Sequence, residues 1–333
     1  VNGLLFNKLT PLQTMCHTHL KNLCGQVLIG THLLSCWMDI DITNFNLDHT
    51  LGCGQVFRWK QNGKGDGVKD YTNGTNHNDG NGDSSWTGII SNDVVCITQT
   101  GTTLSIDTHL NMDDIIAYLR LNDNLDSIHA SICKDEHLKK AVAMYDGLHL
   151  IQQDIWECLI TYMCSTASNI PMIEKRLSLL SRVFGHGISA TPIEDLYSFP
   201  EPIILASASE QELLDCKLGF RAMRIKKAAQ AVVDGTIRLE ELSKLEYHDA
   251  KSELMKLDGI GDKVADCILL FSCGKDGAFP VDTHISQIMR TLYFDGAKMS
   301  DKKVAAWARA YFGPYCGYAQ QYLYHYKRMN FSR

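Results

Sequence analysis

Hydrophobic periodicity changes once along this chain, and that change limits the folds open to it. Between Met38 and about Asp107 apolar residues alternate in short runs. Asp39-Ile40-Asp41-Ile42 is the first, and Trp86-Thr87-Gly88-Ile89-Ile90, Val94-Val95-Cys96-Ile97-Thr98 and Thr103-Leu104-Ser105-Ile106 follow at hairpin spacing. Gln55-Val56-Phe57-Arg58-Trp59 reads as a further, aromatic strand. From Asp113 to the end the spacing is helical, with amphipathic runs that include Ile151–Cys164, Ile170–Phe184, Glu210–Asp215, Arg221–Val233, His248–Lys256, Lys263–Phe271, Thr283–Leu292 and Tyr315–Lys327. Strands first and roughly ten helices afterwards predict an α+β chain with an antiparallel, β-rich N-terminal part, and argue against a parallel sheet.

The expected partition is a leader of uncertain structure over 1–37, a β-sheet domain over 38–110 and a helical domain over 111–333. Within the sheet domain, residues 62–85 are rich in Gly, Asn and Asp with almost no apolar side chains, which reads as a long disordered loop joining two strands. The chain begins with Val1, and Met38 immediately precedes the first clean strand pattern, so the leader reads as an extension outside the fold or a misassigned start.

With 333 residues, 45% hydrophobic and 21% charged, the chain has room for a sizeable globular core. No apolar run approaches the roughly 20 residues of a membrane span, and the leader lacks a signal-peptide pattern. An intracellular protein without a membrane partner is expected. Twelve cysteines are scattered with no CxxC pair, which predicts reduced thiols and no zinc or iron–sulfur site.

A net charge of −6 looks wrong for a nucleic-acid binder until it is divided. Residues 1–155 hold 10 basic against 17 acidic side chains, residues 156–333 hold 22 against 21, and Lys298–Arg333 holds seven against one. A phosphate feels that local potential rather than the net charge.

The chemistry concentrates in Leu257-Asp258-Gly259-Ile260-Gly261-Asp262-Lys263-Val264-Ala265-Asp266-Cys267, followed by Pro280-Val281-Asp282-Thr283-His284. Gly259 and Gly261 flank an apolar residue between two helical patterns, a turn able to bring bare N–H groups and a helix N-terminus against a phosphate. Such a grip holds a nucleic-acid backbone without reading sequence. Lys263 alone would be an ordinary solvated helix residue. Following this turn, it faces the space where a phosphate would lie, and its amine could attack a sugar carbon and form a Schiff base. Asp282 reads as an N-cap worth about 1 kcal/mol, and a charged carboxylate there could also steady a developing oxocarbenium. His284, in the next helical turn, is either a phosphate contact or a plain solvated or core histidine.

Together with Gly54-Gln55-Val56-Phe57-Arg58-Trp59 and Gly313-Pro314-Tyr315-Cys316-Gly317-Tyr318-Ala319-Gln320, these residues resemble the 8-oxoguanine DNA glycosylases of the helix-hairpin-helix, Gly/Pro-Asp superfamily. The resemblance runs from about Asp39 to Tyr326 and implies a two-lobed all-α glycosylase domain with its hairpin at 248–271. It implies excision of 8-oxoguanine from double-stranded DNA by a monomer, with Lys263 as nucleophile supporting β-elimination and Asp282 as the assisting carboxylate. It gives the Gly54 carbonyl the extra N7–H of the lesion, Cys267 and Tyr324 the two faces of the flipped base, and Gln320 its Watson–Crick edge. No cofactor is required, although a potassium or sodium ion bridging the hairpin to phosphate would fit. A nuclear location follows in a eukaryote, and a cytoplasmic, nucleoid one in a prokaryote.

On the opposite strand, mammalian members use an asparagine triplet and an arginine. Here the stretch is Cys164-Ser165-Thr166-Ala167-Ser168-Asn169-Ile170-Pro171-Met172, so Asn169 remains while Ala167 and Met172 depart from the pattern. Phe220 stands at a tyrosine wedge position and Arg221 matches the second cytosine-reading arginine. The Met172/Phe220 pair resembles the bacterial and archaeal branch and predicts weaker discrimination of the opposite base. The competing readings are another base-lesion glycosylase of the superfamily and a non-catalytic DNA-binding module. Of the former, the endonuclease III-like and adenine-specific enzymes usually carry a four-cysteine cluster, whereas after Cys273 only Cys316 remains here, and the alkyl-base enzymes lack a lysine at the position of Lys263.

Overall fold

A computed structural model describes residues 36–62, 83–188 and 196–331. Strands β1 (Cys36–Asp41), β2 (Lys60–Gln61), β3 (Ser84–Ile90), β4 (Asp93–Thr100) and β5 (Thr103–Thr108) form one antiparallel sheet in the order β1-β5-β4-β3-β2. Ser91 and Asn92, both at positive φ (49° and 74°), make the two-residue turn that sets Ile90 opposite Asp93. Alternation then buries Val95 and Ile97 on β4 and Leu104 and Ile106 on β5. These side chains meet α1 (Leu47–Gly52) and α2 (Met112–Leu119) in a core that also contains Trp59, whose indole N–H donates to the Tyr118 hydroxyl at 2.8 Å.

One expectation is corrected in this region. Gln55–Trp59 is irregular, and only Lys60–Gln61 pairs with the sheet. The buried Gln55 amide explains this, because it donates to the Thr50 and His149 carbonyls (2.9 and 2.8 Å) and accepts from the Ile151 N–H (3.0 Å). That pull folds the segment into the junction between sheet and helices. The sheet's core also takes in Ile115, Tyr118, Leu119 and Ile151, so its packing runs past residue 110. Residues 1–35 of the expected leader and 63–82 of the expected insert lie outside the described residues, while Ser84 and Ser85 already belong to β3.

The rest is helical: α3 (Leu125–Ile132), α4 (Glu136–Met144), α5 (Ile155–Ser165), α6 (Ile170–Phe184), α7 (Pro202–Ser207), α8 (Glu210–Asp215), α9 (Ala222–Val233), α10 (Tyr247–Leu254), α11 (Asp262–Ser272), α12 (Thr283–Tyr293), α13 (Asp301–Phe312) and α14 (Cys316–Asn330). Asn and Asp side chains set half of the fourteen described α-helix starts, with Asn46, Asn111, Asn124, Asp135, Asp154, Asn169 and Asp282 each accepting the N–H three residues on. Helix α5 therefore begins after Asp154, four residues later than the apolar run suggests, because Ile151–Gln153 is held extended by Gln55, Tyr118 and Phe271. Helix α7 starts on Pro202, where a missing N–H costs nothing, so this proline opens a helix.

Helix α14 is buried on most of its circumference and contributes Tyr318 and Tyr322 to the largest core, beside Phe279 and Phe312. It forms one wall of the functional cleft. The nine described cysteines from Cys53 to Cys316 are all free thiols. No described helix is long and apolar enough to cross a membrane.

Candidate active site and DNA interface

Helices α10 and α11 form the hairpin. Gly259 adopts φ +90°, a conformation that L side chains resist, and a Cβ there would meet Arg224 Cδ at 2.7 Å. Gly261 differs from the expectation: it is extended at φ −101°, with open space around it. Its contribution is the absence of a side-chain cap on α11, so the first-turn N–H groups stay available to an anion.

An ion cluster clamps this hairpin from behind. Lys251 on α10 reaches Asp266 (2.9 Å) and Asp262 (3.2 Å) on α11, and the Tyr247 hydroxyl donates to Asp266 at 2.6 Å. Asp266 is 2% exposed, and burial raises its carboxyl above the ordinary range despite the Lys251 charge. Arg309 of α13 completes the cluster by donating to the Tyr247 hydroxyl at 3.2 Å.

Lys263 projects from the first turn of α11 into a cleft of about 1680 Å³. That volume exceeds ordinary small-molecule sites of about 300–1,000 Å³ and suits part of a polymer. The Lys263 amine donates to Ser165 Oγ at 3.0 Å and lies 5.3 Å above the Tyr162 ring. Ser165 and Tyr162 come from the end of α5, and sequence reasoning gave them no role. Asp282 caps α12 by accepting the Ile285 N–H at 2.8 Å and lines the same cleft. His284 is exposed, its ring edge-on to Tyr324 at 5.9 Å.

The expected base pocket is assembled from three elements. Cys267, one turn beyond Lys263, is 4% exposed, and burial pushes its thiol up to about 12, the nearby Lys263 and Asp282 charges acting in opposite directions. It is thus a neutral, polarisable surface at physiological pH. Tyr324 is likewise held neutral, burial with Asp282 raising its phenol to about 12. Gln320 is 5% exposed, lines the cleft, and its Oε1 has no hydrogen-bond partner among the described residues. A buried, unanswered amide oxygen costs on the order of 1–3 kcal/mol, a penalty that a ligand donor would remove. Gly54 adopts φ +88°, with Ile170 and Tyr324 at 3.4 and 3.5 Å from any added Cβ and the Arg328 guanidinium closer still.

Gly54 is tied to the lysine helix by a relay that the sequence did not reveal. The Gln55 carbonyl accepts from Gln153 Nε2 (3.0 Å) and the Tyr162 hydroxyl (3.2 Å), while the Gln153 N–H donates to the Phe271 carbonyl of α11 at 2.7 Å. Gln153 and Gln55 lie far apart in sequence with no periodic signal linking them.

Across the cleft the expectations fare differently. Asn169 is exposed; its Oδ1 caps α6 by accepting the Met172 N–H at 3.1 Å, a bond that leaves its Nδ2 donors unused. Phe220 is 59% exposed, with the Arg221 and Arg224 guanidinium groups 4.2 and 5.5 Å from its ring centre. Arg221, expected to face the opposite base, is only 5% exposed; it donates to the Thr166, Ala167 and Leu218 carbonyls. The buried Arg176 adds bonds to the Cys164 carbonyl (3.1 Å) and the Ser168 hydroxyl (2.5 Å). Those guanidinium groups hold the Cys164–Asn169 turn, in which Ala167 sits at φ +49°.

Comparison with known proteins agrees with this architecture. Residues 38–159 match the N-terminal domain of 8-oxoguanine DNA glycosylase, and residues 172–313 match the HhH-GPD superfamily of base excision DNA repair proteins. N-glycosylase/DNA lyase OGG1 of Arabidopsis thaliana is 29% identical over 314 residues, covering 86% of this chain and 79% of that protein. Among solved structures, MBOgg1 with a low-affinity DNA ligand superposes with a TM-score of 0.78 at 32% identity, covering 88% of this chain and 95% of the other. The Clostridium acetobutylicum 8-oxoguanine glycosylase/lyase, with double-stranded DNA containing cytosine opposite 8-oxoG, gives 0.76 at 29%, covering 88% and 98%. The chain belongs to the 8-oxoguanine DNA glycosylases of the HhH-GPD superfamily.

Proposed function

We propose that this protein, acting as a monomer, flips 8-oxoguanine out of double-stranded DNA, excises it and then nicks the strand, with Lys263 as nucleophile and Asp282 as the assisting carboxylate. Extrusion is required because the glycosidic carbon and the lesion's edge are inaccessible within the duplex. The Lys263 amine attacks C1′, the bond to N9 breaks with its electron pair leaving on the base, and the amine loses a proton. Opening of the sugar, with a proton gained at O4′, gives the Schiff base. Loss of a C2′ proton then expels the 3′ phosphate by β-elimination. Asp282, anchored at a helix start, stabilises positive charge on the sugar as the base departs.

The observation that carries this reading is one shared cleft. It brings the Lys263 amine, steadied by Ser165, together with the buried and unanswered Gln320 amide and the Gly54 loop. The polarisable thiol of Cys267 and the ring of Tyr324 offer the neutral surfaces between which a base stacks. The uncapped α11 start, His284 and Phe220 meet the DNA backbone and the gap left by the flipped base. A potassium or sodium ion at the hairpin would be held by main-chain oxygens, since no cluster of three or more metal-binding side chains occurs among the described residues. It would add positive charge beside the phosphate, and no chemical step passes through it. The substrate places the protein with the genome, in the nucleoid or the nucleus.

Borohydride trapping on duplexes carrying 8-oxoguanine tests the reading. The wild type should form a covalent complex and release free 8-oxoguanine. Binding without trapping would favour the non-catalytic module, and trapping on another lesion with 8-oxoguanine left intact would favour a different glycosylase.

A further inference from the structure

Helix α14 carries a third residue on the face that holds Gln320 and Tyr324. Positions 320, 324 and 328 are spaced i, i+4 and i+8, so the Arg328 side chain continues the stripe along the same wall of the cleft. Its Nη2 donates to the Gly52 carbonyl at 2.7 Å. The guanidinium also lies in the space that a side chain on Gly54 would occupy. It further neighbours the Tyr324 hydroxyl, whose upward shift it tempers by its charge and a hydrogen bond. One cation therefore touches both the glycine loop and the stacking ring of the base pocket.

8-Oxoguanine differs from guanine at two adjacent atoms. N7 has become a donor, and C8 bears an oxygen that accepts. A wall offering only a carbonyl can answer the first change, whereas a wall with a carbonyl and a guanidinium side by side can answer both. Guanine would meet that same pair with an N7 lone pair facing a carbonyl and a C8–H facing a cation.

We propose that Arg328 is a specificity-determining residue of this pocket: its guanidinium, braced on Gly52, donates to O8 of the lesion while the Gly54 carbonyl accepts from N7–H. This deepens the proposed function and rests on the assignment of Gly54 to the lesion's edge. Loss of a charge-assisted hydrogen bond to a buried acceptor typically costs about 10- to 100-fold in rate.

The test compares Arg328→Leu and Arg328→Lys with the wild type under single-turnover conditions on duplexes carrying 8-oxoguanine or 8-thioguanine. The second base keeps the N7–H and replaces O8 with a poor acceptor. Cleavage of abasic-site DNA is measured alongside, because it needs no base in the pocket. Arg328→Leu should lose about 10- to 100-fold on 8-oxoguanine and less than about threefold on 8-thioguanine, with Arg328→Lys recovering part of the loss. Parallel losses on both bases, or a matching loss on abasic DNA, would show a brace for the loop and overturn the assignment. No loss on 8-oxoguanine would overturn it as well. A wild type that cleaves abasic DNA but leaves 8-oxoguanine intact would instead remove the underlying functional reading, and this inference with it.

Discussion

On the base-receiving side of the cleft, the groups that would act are already held in place. The Lys263 amine is fixed on Ser165, Asp282 on the start of α12, and Gln320 is buried with an oxygen still to be answered. On the opposite-strand side, the guanidinium groups are turned towards the protein itself. Arg221 and Arg176 bond to main-chain carbonyls and Ser168, while Asn169, whose helix cap uses only its Oδ1, and the ring of Phe220 are exposed. The difference shows where preorganisation has been concentrated. A nucleophile must be placed before the reaction to lower its barrier. A wedge and an orphaned-base reader are needed only once the duplex has been opened.

The largest expected effect lies on the preorganised side. Lys263→Gln should abolish borohydride trapping and lower excision on the order of 1,000-fold, while gel-shift affinity for lesion DNA stays within a few-fold. Trapping at the wild-type level would break the comparison at its centre.

The opposite side should tolerate change and even gain from it. Excision of 8-oxoguanine opposite each of the four bases should vary by less than about tenfold in the wild type, since Met172 supplies no donor to the orphaned base. Met172→Arg should raise the cytosine preference by about tenfold, the value of one added charge-assisted contact. A strictly cytosine-only wild type would show that Arg221 leaves its carbonyls on binding.

The two hairpin glycines separate folding from DNA contact. Gly259→Ala should cost about 1–2 kcal/mol in urea unfolding, because φ is +90° and Arg224 must move. Gly261→Ala, extended and in open space, should cost less than about 0.5 kcal/mol and instead weaken affinity for undamaged duplex, read as a salt-dependent binding isotherm. Equal stability losses would contradict the conformations assigned to them.

A further prediction concerns pH. Burial, with help from the Arg328 charge, depresses His325 in α14 from its ordinary 6.5 to about 3, so the folded protein keeps it neutral. Above pH 6.5 that neutrality costs nothing. As pH falls from 6.5 towards 3, the unfolded chain takes up a proton that the folded chain refuses, and stability declines. His325→Phe should flatten the fall in Tm across that window. Buried His149, also lowered, keeps some slope in the variant.

Legibility in the sequence followed the range of the interaction. Helix α6 is bounded as its pattern predicts, because Asn169, Pro171 and the apolar spacing are all local signals. The β3–β4–β5 meander was equally plain. Gln55–Trp59 was misread as a strand because its conformation depends on Thr50, His149 and Ile151. The burial of Arg221 against main-chain carbonyls was not legible in the motif, since burial follows from what packs over a side chain. Arg328 carried the faintest signal, an i+4 step beyond Tyr324 that acquires meaning only when Gly52 and Gly54 are brought beside it.

The amino-acid sequence by itself determined the order of strands and helices, the helix caps and the glycine turn, because each rests on neighbours within a few residues. Only the tertiary structure decided that Lys263 rests on Ser165, that Gln320 keeps an oxygen unanswered among the described residues, that Arg221 faces inward and that Arg328 stands against the Gly52–Gly54 loop. Those facts depend on contacts between segments up to 276 positions apart, whose geometry is set by the whole packed core.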